Sequence, residues 1–392
     1  MKIYLKAATG AIVSRWMLAL FYAFTFMCTA IFSNYMPIYL SQLGFQQTDI
    51  GILLSVATII SILGQPLCGY FTDRSRCKNN VLFLLLVGSG SSLMFVPLFH
   101  NLLYLCTTIA VFSFFQSSIN PMSDVIAFEY AHKTSAKYGM IRLSGTVGYA
   151  LMALIAGIVL NRHINNMFPL YFLLNFLALL MLLWVPRIEG HQKNDAHFHP
   201  WMVLRDKKLV LYIVTAFVFL TTSNFYATFY GIYFTKLGGS STLLGCSFFI
   251  GAMSELPFLL FSHRILKKIN IEYLLIFAGS AAALRWLLIG ITRSIPILIG
   301  LQLMHGMIYI IIMVSISYYI SLTVTPELQA SGQAINALVC GGAAKIAGSL
   351  IGGYLSDLFS IRAGFFFCSG LALVAVAAFT VIRGFRNKAP LN

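Results

Sequence analysis

Charge is what this chain has least of. Asp, Glu, Lys and Arg make up 9% of its 392 residues, against about 25% in soluble domains. Acids are the scarcer kind, 11 against 26 Lys and Arg. A soluble fold so poor in charge would have little surface to offer water. No glycine-rich nucleotide loop, metal-ligand spacing or nucleophile–base set is present, so the sequence offers no enzyme chemistry and no cofactor is expected. His191, His197 and His199 lie close together, but no further ligand spacing joins them. Seven cysteines are scattered, six of them (Cys28, Cys68, Cys106, Cys246, Cys340, Cys368) in apolar stretches and Cys77 in a loop. That pattern argues against a disulfide framework.

What is present is apolar sequence, 59% of the chain. It comes in long runs, such as 18–40 and 363–382, each about the length that crosses a ~30 Å hydrocarbon core. Runs bounded by charges or turn residues fall at 16–39, 48–70, 81–99, 103–128, 139–160, 167–185, 209–235, 243–262, 271–292, 295–321, 331–355 and 363–383. The fold class is therefore all-α, a polytopic membrane protein of twelve transmembrane helices. Lys2, Lys6 and Arg15 precede a first run too long for a signal-peptide core, so it reads as a retained helix. The longest polar stretch, 186–208, separates the sixth run from the seventh. Two six-helix bundles, 1–186 and 209–392, joined by a central cytoplasmic loop at 187–208, are expected. No residue-level repeat between the halves stands out.

The net charge of +15 raises nucleic-acid binding as a question, and its distribution answers it. With the N-terminus inside, 19 of the Lys and Arg fall on inner segments. Four (Arg162, Lys236, Arg293, Arg362) fall in outer loops, and Arg142, Arg285 and Lys345 lie within runs. Positive residues mark the cytoplasmic side. The expectation is a multi-pass cell-membrane protein with both termini cytoplasmic and no nucleic-acid partner.

Ionisable groups inside membrane spans are costly, and each is a functional hypothesis by default. The candidates are Asp124, Arg142, Glu255, Arg285, His305 and Lys345, from six different runs. Asp124 and Arg142 flank the short loop 130–137 at similar offsets, so adjacent antiparallel helices should bring them together. Gln116, Asn120 and Asp124 repeat at i, i+4, i+8 and share a helix face; Arg142, Gly145 and Tyr149 share another. Carboxylate, guanidinium and aromatic ring suit a polyhydroxylated or anionic ligand. A salt bridge that only orders the helices is the plainer alternative. Glu129 lies near a helix end and reads as interfacial. Pro37, Pro66, Pro121 and Pro257 fall within runs, and Gly341, Gly342, Gly348, Gly352 and Gly353 would permit close helix packing.

These residues carry a resemblance. The run Tyr138-Gly-Met-Ile-Arg142-Leu-Ser-Gly145-Thr-Val-Gly148-Tyr149 resembles the fifth helix of the lactose permease family, where an Arg precedes two spaced glycines and a sugar-stacking Trp. Asp124 falls at that family's sugar-binding Glu and Tyr149 at the Trp. His305 falls at its essential His, Lys345 near its eleventh-helix Lys, and Glu255 and Arg285 near its eighth- and ninth-helix Glu and Arg. Glu255 in Ala252-Met-Ser-Glu255, with Arg285-Trp286, is more similar to phenylpropionate permeases. Gly69-Tyr-Phe-Thr-Asp73-Arg74-Ser-Arg76-Cys-Lys78 resembles the major facilitator loop between helices two and three, without its central Gly.

The resemblance implies a major facilitator fold and a secondary transporter driven by the proton gradient. Its partners would be a small solute, protons and the bilayer, and a monomer would suffice. It assigns Asp124, Arg142, Tyr149 and His305 to substrate binding, and the polar stripe adds Gln116 and Asn120. Glu255, Arg285, His305 and Lys345 go to proton coupling, and Gly69, Asp73 and Arg74 to a gating loop. Ile308 stands where the family has a proton-carrying Glu, so coupling must use another acid. Uptake of a sugar, glycoside or similar polar solute is the leading expectation. An aromatic acid or nucleoside held by Arg142 or Lys345 is the alternative. Drug efflux fits poorly with six buried ionisable groups.

Overall fold

The computed structural model describes residues 2–134, 138–185 and 205–388. Among these are twelve helical spans long and apolar enough to cross a bilayer, from Arg15–Gln42 to Ile361–Gly384. Each coincides with one of the twelve apolar runs. Hydropathy is legible here because a span must satisfy every backbone N–H and C=O internally, and a helix does so. The helices are α1 (Lys2–Gln42), α2 (Gln47–Arg74), α3 (Lys78–Phe95), α4 (Leu102–Lys133), α5 (Tyr138–Leu160), α6 (Met167–Leu182) and α7 (Lys207–Lys236). They continue with α8 (Ser241–Lys268), α9 (Ile271–Ile291), α10 (Ile295–Gly300), α11 (His305–Thr323), α12 (Pro326–Asn336), α13 (Ala344–Leu358) and α14 (Ile361–Lys388). A 3-10 turn, Leu301–Met304, joins α10 to α11, and a π-helical stretch, Ala337–Ala343, joins α12 to α13, so each of those pairs makes one span.

Large apolar side chains stay on the outside: Leu103 is 77% and Leu260 72% exposed. Lipid, not water, is the solvent that such a surface fits. Pro37, Pro66, Pro121 and Pro257 lie inside helices, in α1, α2, α4 and α8. Gly44 (φ +90°) and Gly238 (φ +89°) make the turns after α1 and α7, a conformation that costs glycine nothing.

The chain forms two compact units. One comprises 1–43 and 56–195, the other 44–55 and 196–392. The division differs from the expected halves at one place: the start of α2 counts with the second unit. Most of the expected central loop, including its three histidines, lies outside the described residues.

Unit 1 has a core of Leu18, Phe21, Tyr22, Ile119, Met122, Ile126 and Ile141, from α1, α4 and α5. In unit 2, Gly348 and Gly352 bring α13 onto α7, where an added Cβ would meet the Thr221 carbonyl and the Phe225 ring. Several helix starts carry their own cap: Asn101 for α4, Asp206 for α7, Ser240 for α8 and Asn270 for α9 each accept from backbone N–H groups in the first turn. Such caps are typically worth about 1 kcal/mol.

Candidate functional site: a carboxylate–guanidinium cluster and a buried relay

In unit 1, α4 runs on to Lys133, so Asp124 lies further from the short connection than Arg142 does on α5, yet Arg142 Nε lies 3.5 Å from Asp124 Oδ1. Both side chains are more than a third exposed (39% and 38%). The same Oδ1 accepts the Tyr22 hydroxyl at 2.7 Å and the Tyr138 hydroxyl at 3.1 Å. The Arg142 guanidinium lies 4.5 Å from the centre of the Phe26 ring, an attraction of about 0.5–2 kcal/mol. Phe26 fits there because Gly145 has no Cβ to fill the space; one built there would meet the ring at 2.8 Å. The pair is thus loose and partly exposed, not the forked two-bond arrangement of a tight Arg–carboxylate contact.

Further along α4, Gln116 and Asn120 both donate to the Thr29 hydroxyl, at 3.4 and 3.2 Å, and Gln116 also accepts from Tyr171 at 2.5 Å. The Tyr149 hydroxyl donates to Asn34 at 3.1 Å and lies 3.2 Å from the Ser33 hydroxyl. All five unit-1 residues expected at a binding site therefore face α1. Sequence reading missed α1's share: Tyr22, Phe26, Thr29 and Asn34. Uncharged polar and aromatic residues are ordinary in spans and give no signal alone.

A second pair on α4 behaves differently. Lys78 and Glu129 form an ion pair, with Lys78 only 5% exposed. Glu129, near the end of α4, is paired with the first residue of α3.

Unit 2 holds a linear relay. Arg285 on α9 is fully buried. Its NH2 donates to Gln302 Oε1 at 2.6 Å, and its NH1 lies 3.0 Å from His305 Nδ1. The Tyr226 hydroxyl donates to the same Gln302 oxygen at 2.5 Å, and the Tyr226 ring lies 4.3 Å beneath the guanidinium. Gln302 Nε2 donates to the Leu298 carbonyl at 3.1 Å, which fixes the amide's orientation. Residues three apart eclipse in a 3-10 turn, and the Leu301–Met304 turn brings Gln302 and His305 to the same guanidinium. Beyond it, His305 Nε2 lies 3.3 Å from Glu255 Oε1. This approach needs Gly306, where an added Cβ would collide with the α8 backbone at Ser254 and Glu255; the Gly306 N–H donates to Ser254 Oγ at 2.9 Å.

Arginine can only donate, so His305 Nδ1 accepts and the ring proton sits on Nε2, aimed at Glu255. Arg285, His305 and Glu255 are brought together, with His305 in the middle. Lys345 is not among them. It is exposed on α13 just past the π-helical stretch, with no ion pair or hydrogen bond among the described residues. In the expected gating loop, Arg74 stacks on Tyr70 at 4.2 Å, while Asp73 is exposed and makes no hydrogen bond among the described residues. No cluster of three or more His, Cys, Asp or Glu side chains that could hold a metal ion occurs among the described residues.

Comparison with known proteins decides the family. The model described as the MFS_1 like family matches residues 15–367. The chain belongs to this family of the major facilitator superfamily. It is 26% identical over 374 residues to the maltose permease of Geobacillus stearothermophilus, covering 94% of each chain. It is 24% identical over 309 residues to the probable 3-phenylpropionic acid transporter of Escherichia coli strain K12, covering 74% of this chain and 78% of that one. The crystal structure of nucleoside transporter NupG superposes with a TM-score of 0.84, covering 94% of this chain and 98% of that one at 15% identity. The chain is a multi-pass membrane transporter with the major facilitator fold, and its relatives are transporters, not enzymes.

Proposed function

We propose that this transporter takes up a sugar, glycoside or similar small polar solute together with protons, by alternating access, as a monomer in the cell membrane. The observation that carries the reading is the half-exposed Asp124–Arg142 pair, its carboxylate oxygen shared with two tyrosines. Lys78–Glu129, with its lysine buried, is the more enclosed of the two pairs on α4. A pair open to solvent, with a cation lying on an aromatic ring, can exchange its partners for the hydroxyls of a solute. Gln116, Asn120 and Tyr149 extend the polar face. Glu255, His305 and Arg285 make a proton path, with Lys345 as a further charge. Gly69, Asp73 and Arg74 serve gating.

A thermal-shift screen of the purified protein tests the solute class. A ligand at 100 times its Kd stabilises by about 2.7 kcal/mol. Sugars or glycosides should raise Tm; a rise with nucleosides or aromatic acids alone would overturn the assignment. One observation favours the second reading, an aromatic acid: Lys345 is a cation with no anionic partner among the described residues. In that case Lys345→Gln should remove the aromatic acid's Tm shift.

Orientation follows from the 19-to-4 distribution of positive residues. An impermeant maleimide applied outside should label a cysteine introduced at Arg293 and leave native Cys77 unlabelled. The opposite pattern would invert the topology.

A further inference from the structure

The first turns of α2 have no local cap. Gln46 precedes the helix, and the turn before it is Leu43-Gly44-Phe45. The first N–H groups are met instead from far along the chain. The Asp357 carboxylate, at the end of α13, accepts from the Gln47 N–H at 2.9 Å, from the Thr48 N–H at 2.7 Å and from the Thr48 hydroxyl at 2.6 Å. A carboxylate at a helix N-terminus also meets the positive end of the helix dipole. Two glycines allow the approach: a Cβ at Gly51 would strike the Ser349 carbonyl, and one at Gly353 the Gln47 carbonyl. The Ser55 hydroxyl reaches the Ile346 carbonyl at 3.5 Å. All of these residues belong to unit 2.

Asp357 closes a repeat. Residues 348–357 read Gly-x4-Gly-Tyr-x-Ser-Asp, and residues 64–73 read Gly-x4-Gly-Tyr-x-Thr-Asp. Burial follows the same order in both: the first glycine and the hydroxyl residue are buried, and the tyrosine and aspartate exposed. This corrects the expectation that no residue-level repeat exists. One aspartate of the pair, Asp357, is engaged; the other, Asp73, is free among the described residues. Weak repeats within facilitator folds arise from duplicated, inverted segments.

We propose that Asp357 is a latch, which holds the start of α2 on the end of α13 and must release once in each transport cycle. A local cap would serve the helix equally in every conformation. A cap borrowed from 309 residues away ties that helix end to one conformation. Its exposure makes it reversible, because water replaces the lost bonds on both partners when it opens. The inference rests on the alternating-access reading above.

The test uses Asn120→Cys in a background without native cysteines, labelled with impermeant maleimide in right-side-out and inside-out vesicles. Removing a charged helix cap shifts a two-state ratio by about fivefold or more. Asp357→Ala should therefore raise labelling from outside at least fivefold and lower it from inside. Gly353→Ala, which forces the same contact apart by bulk, should do likewise. Cross-linking Thr48→Cys to Asp357→Cys should abolish labelling from outside, spare it from inside, and reverse on reduction. A merely structural loosening would raise labelling from both sides, and that result overturns the latch. So does an outside-to-inside ratio unchanged in both variants. Labelling from one side only in every variant would overturn the alternating-access reading itself.

Discussion

Glu255→Gln should abolish pH-driven accumulation and leave exchange of labelled for unlabelled solute intact. Two acids lie well inside the spans as candidates for proton carriage, Asp124 and Glu255. Asp124 is already engaged by Arg142 and by two tyrosine hydroxyls that donate to it. Glu255 faces the His305 Nε2 proton. That proton is directed by Arg285, which occupies the other ring nitrogen as long as it stays in contact. If the contact breaks, Nδ1 is free to take a proton, and the ring can pass one to Glu255 through Nε2. Ile308, one turn after His305, is buried and has no proton to carry. The amide of Gln keeps an oxygen facing Nε2, so the helices stay together while proton release is lost. Normal acid-driven accumulation by the variant would sink the assignment. Loss of exchange as well would make Glu255 a structural or binding residue.

Arg142→Lys should weaken solute binding at least tenfold, about 1.4 kcal/mol, without unfolding the protein. The substitution keeps the charge. It removes the flat guanidinium that lies on Phe26 while approaching Asp124, and an ammonium offers no planar pair of donors. Asp124→Asn should have a comparable effect, because it keeps an oxygen for Tyr22 and Tyr138 but loses the charge that draws Arg142. Titration of the solute found by thermal shift measures both. Unchanged affinity in both variants would remove the pair from the site.

Much of this was legible from the sequence, for identifiable reasons. A span must be apolar along its length, so the twelve runs mark the helices. Charges inside such runs stand out against that background, and Asp124 with Arg142 could be paired because they flank one short loop. Gln302 and Tyr226 could not be found this way. They are uncharged, and the 3-10 turn that aims Gln302 at Arg285 has no signature in a stretch reading Leu-Gln-Leu-Met. Glu272 was passed over because acids at span ends are common; the structure shows it 9% exposed and bound by partners on two other helices. Asp357 was hidden differently. Its repeat with Asp73 shares few identities, and only its contact with α2 shows why the pattern matters.

The Glu272 site also carries a consequence for biosynthesis. Glu272, near the start of α9, pairs with Lys208 at 3.2 Å and Arg383 at 2.7 Å, and accepts the Tyr212 hydroxyl at 3.0 Å. Lys208 and Tyr212 leave the ribosome before it. Arg383 follows 111 residues later, a delay of about 5–20 s at ordinary synthesis rates. Until then the partners already synthesised, Lys208 and Tyr212, account for only one oxygen of this carboxylate. Completion of the last helix ties three distant stretches into one knot. A chain lacking Arg383 leaves Glu272 Oε2 without the partner it has here.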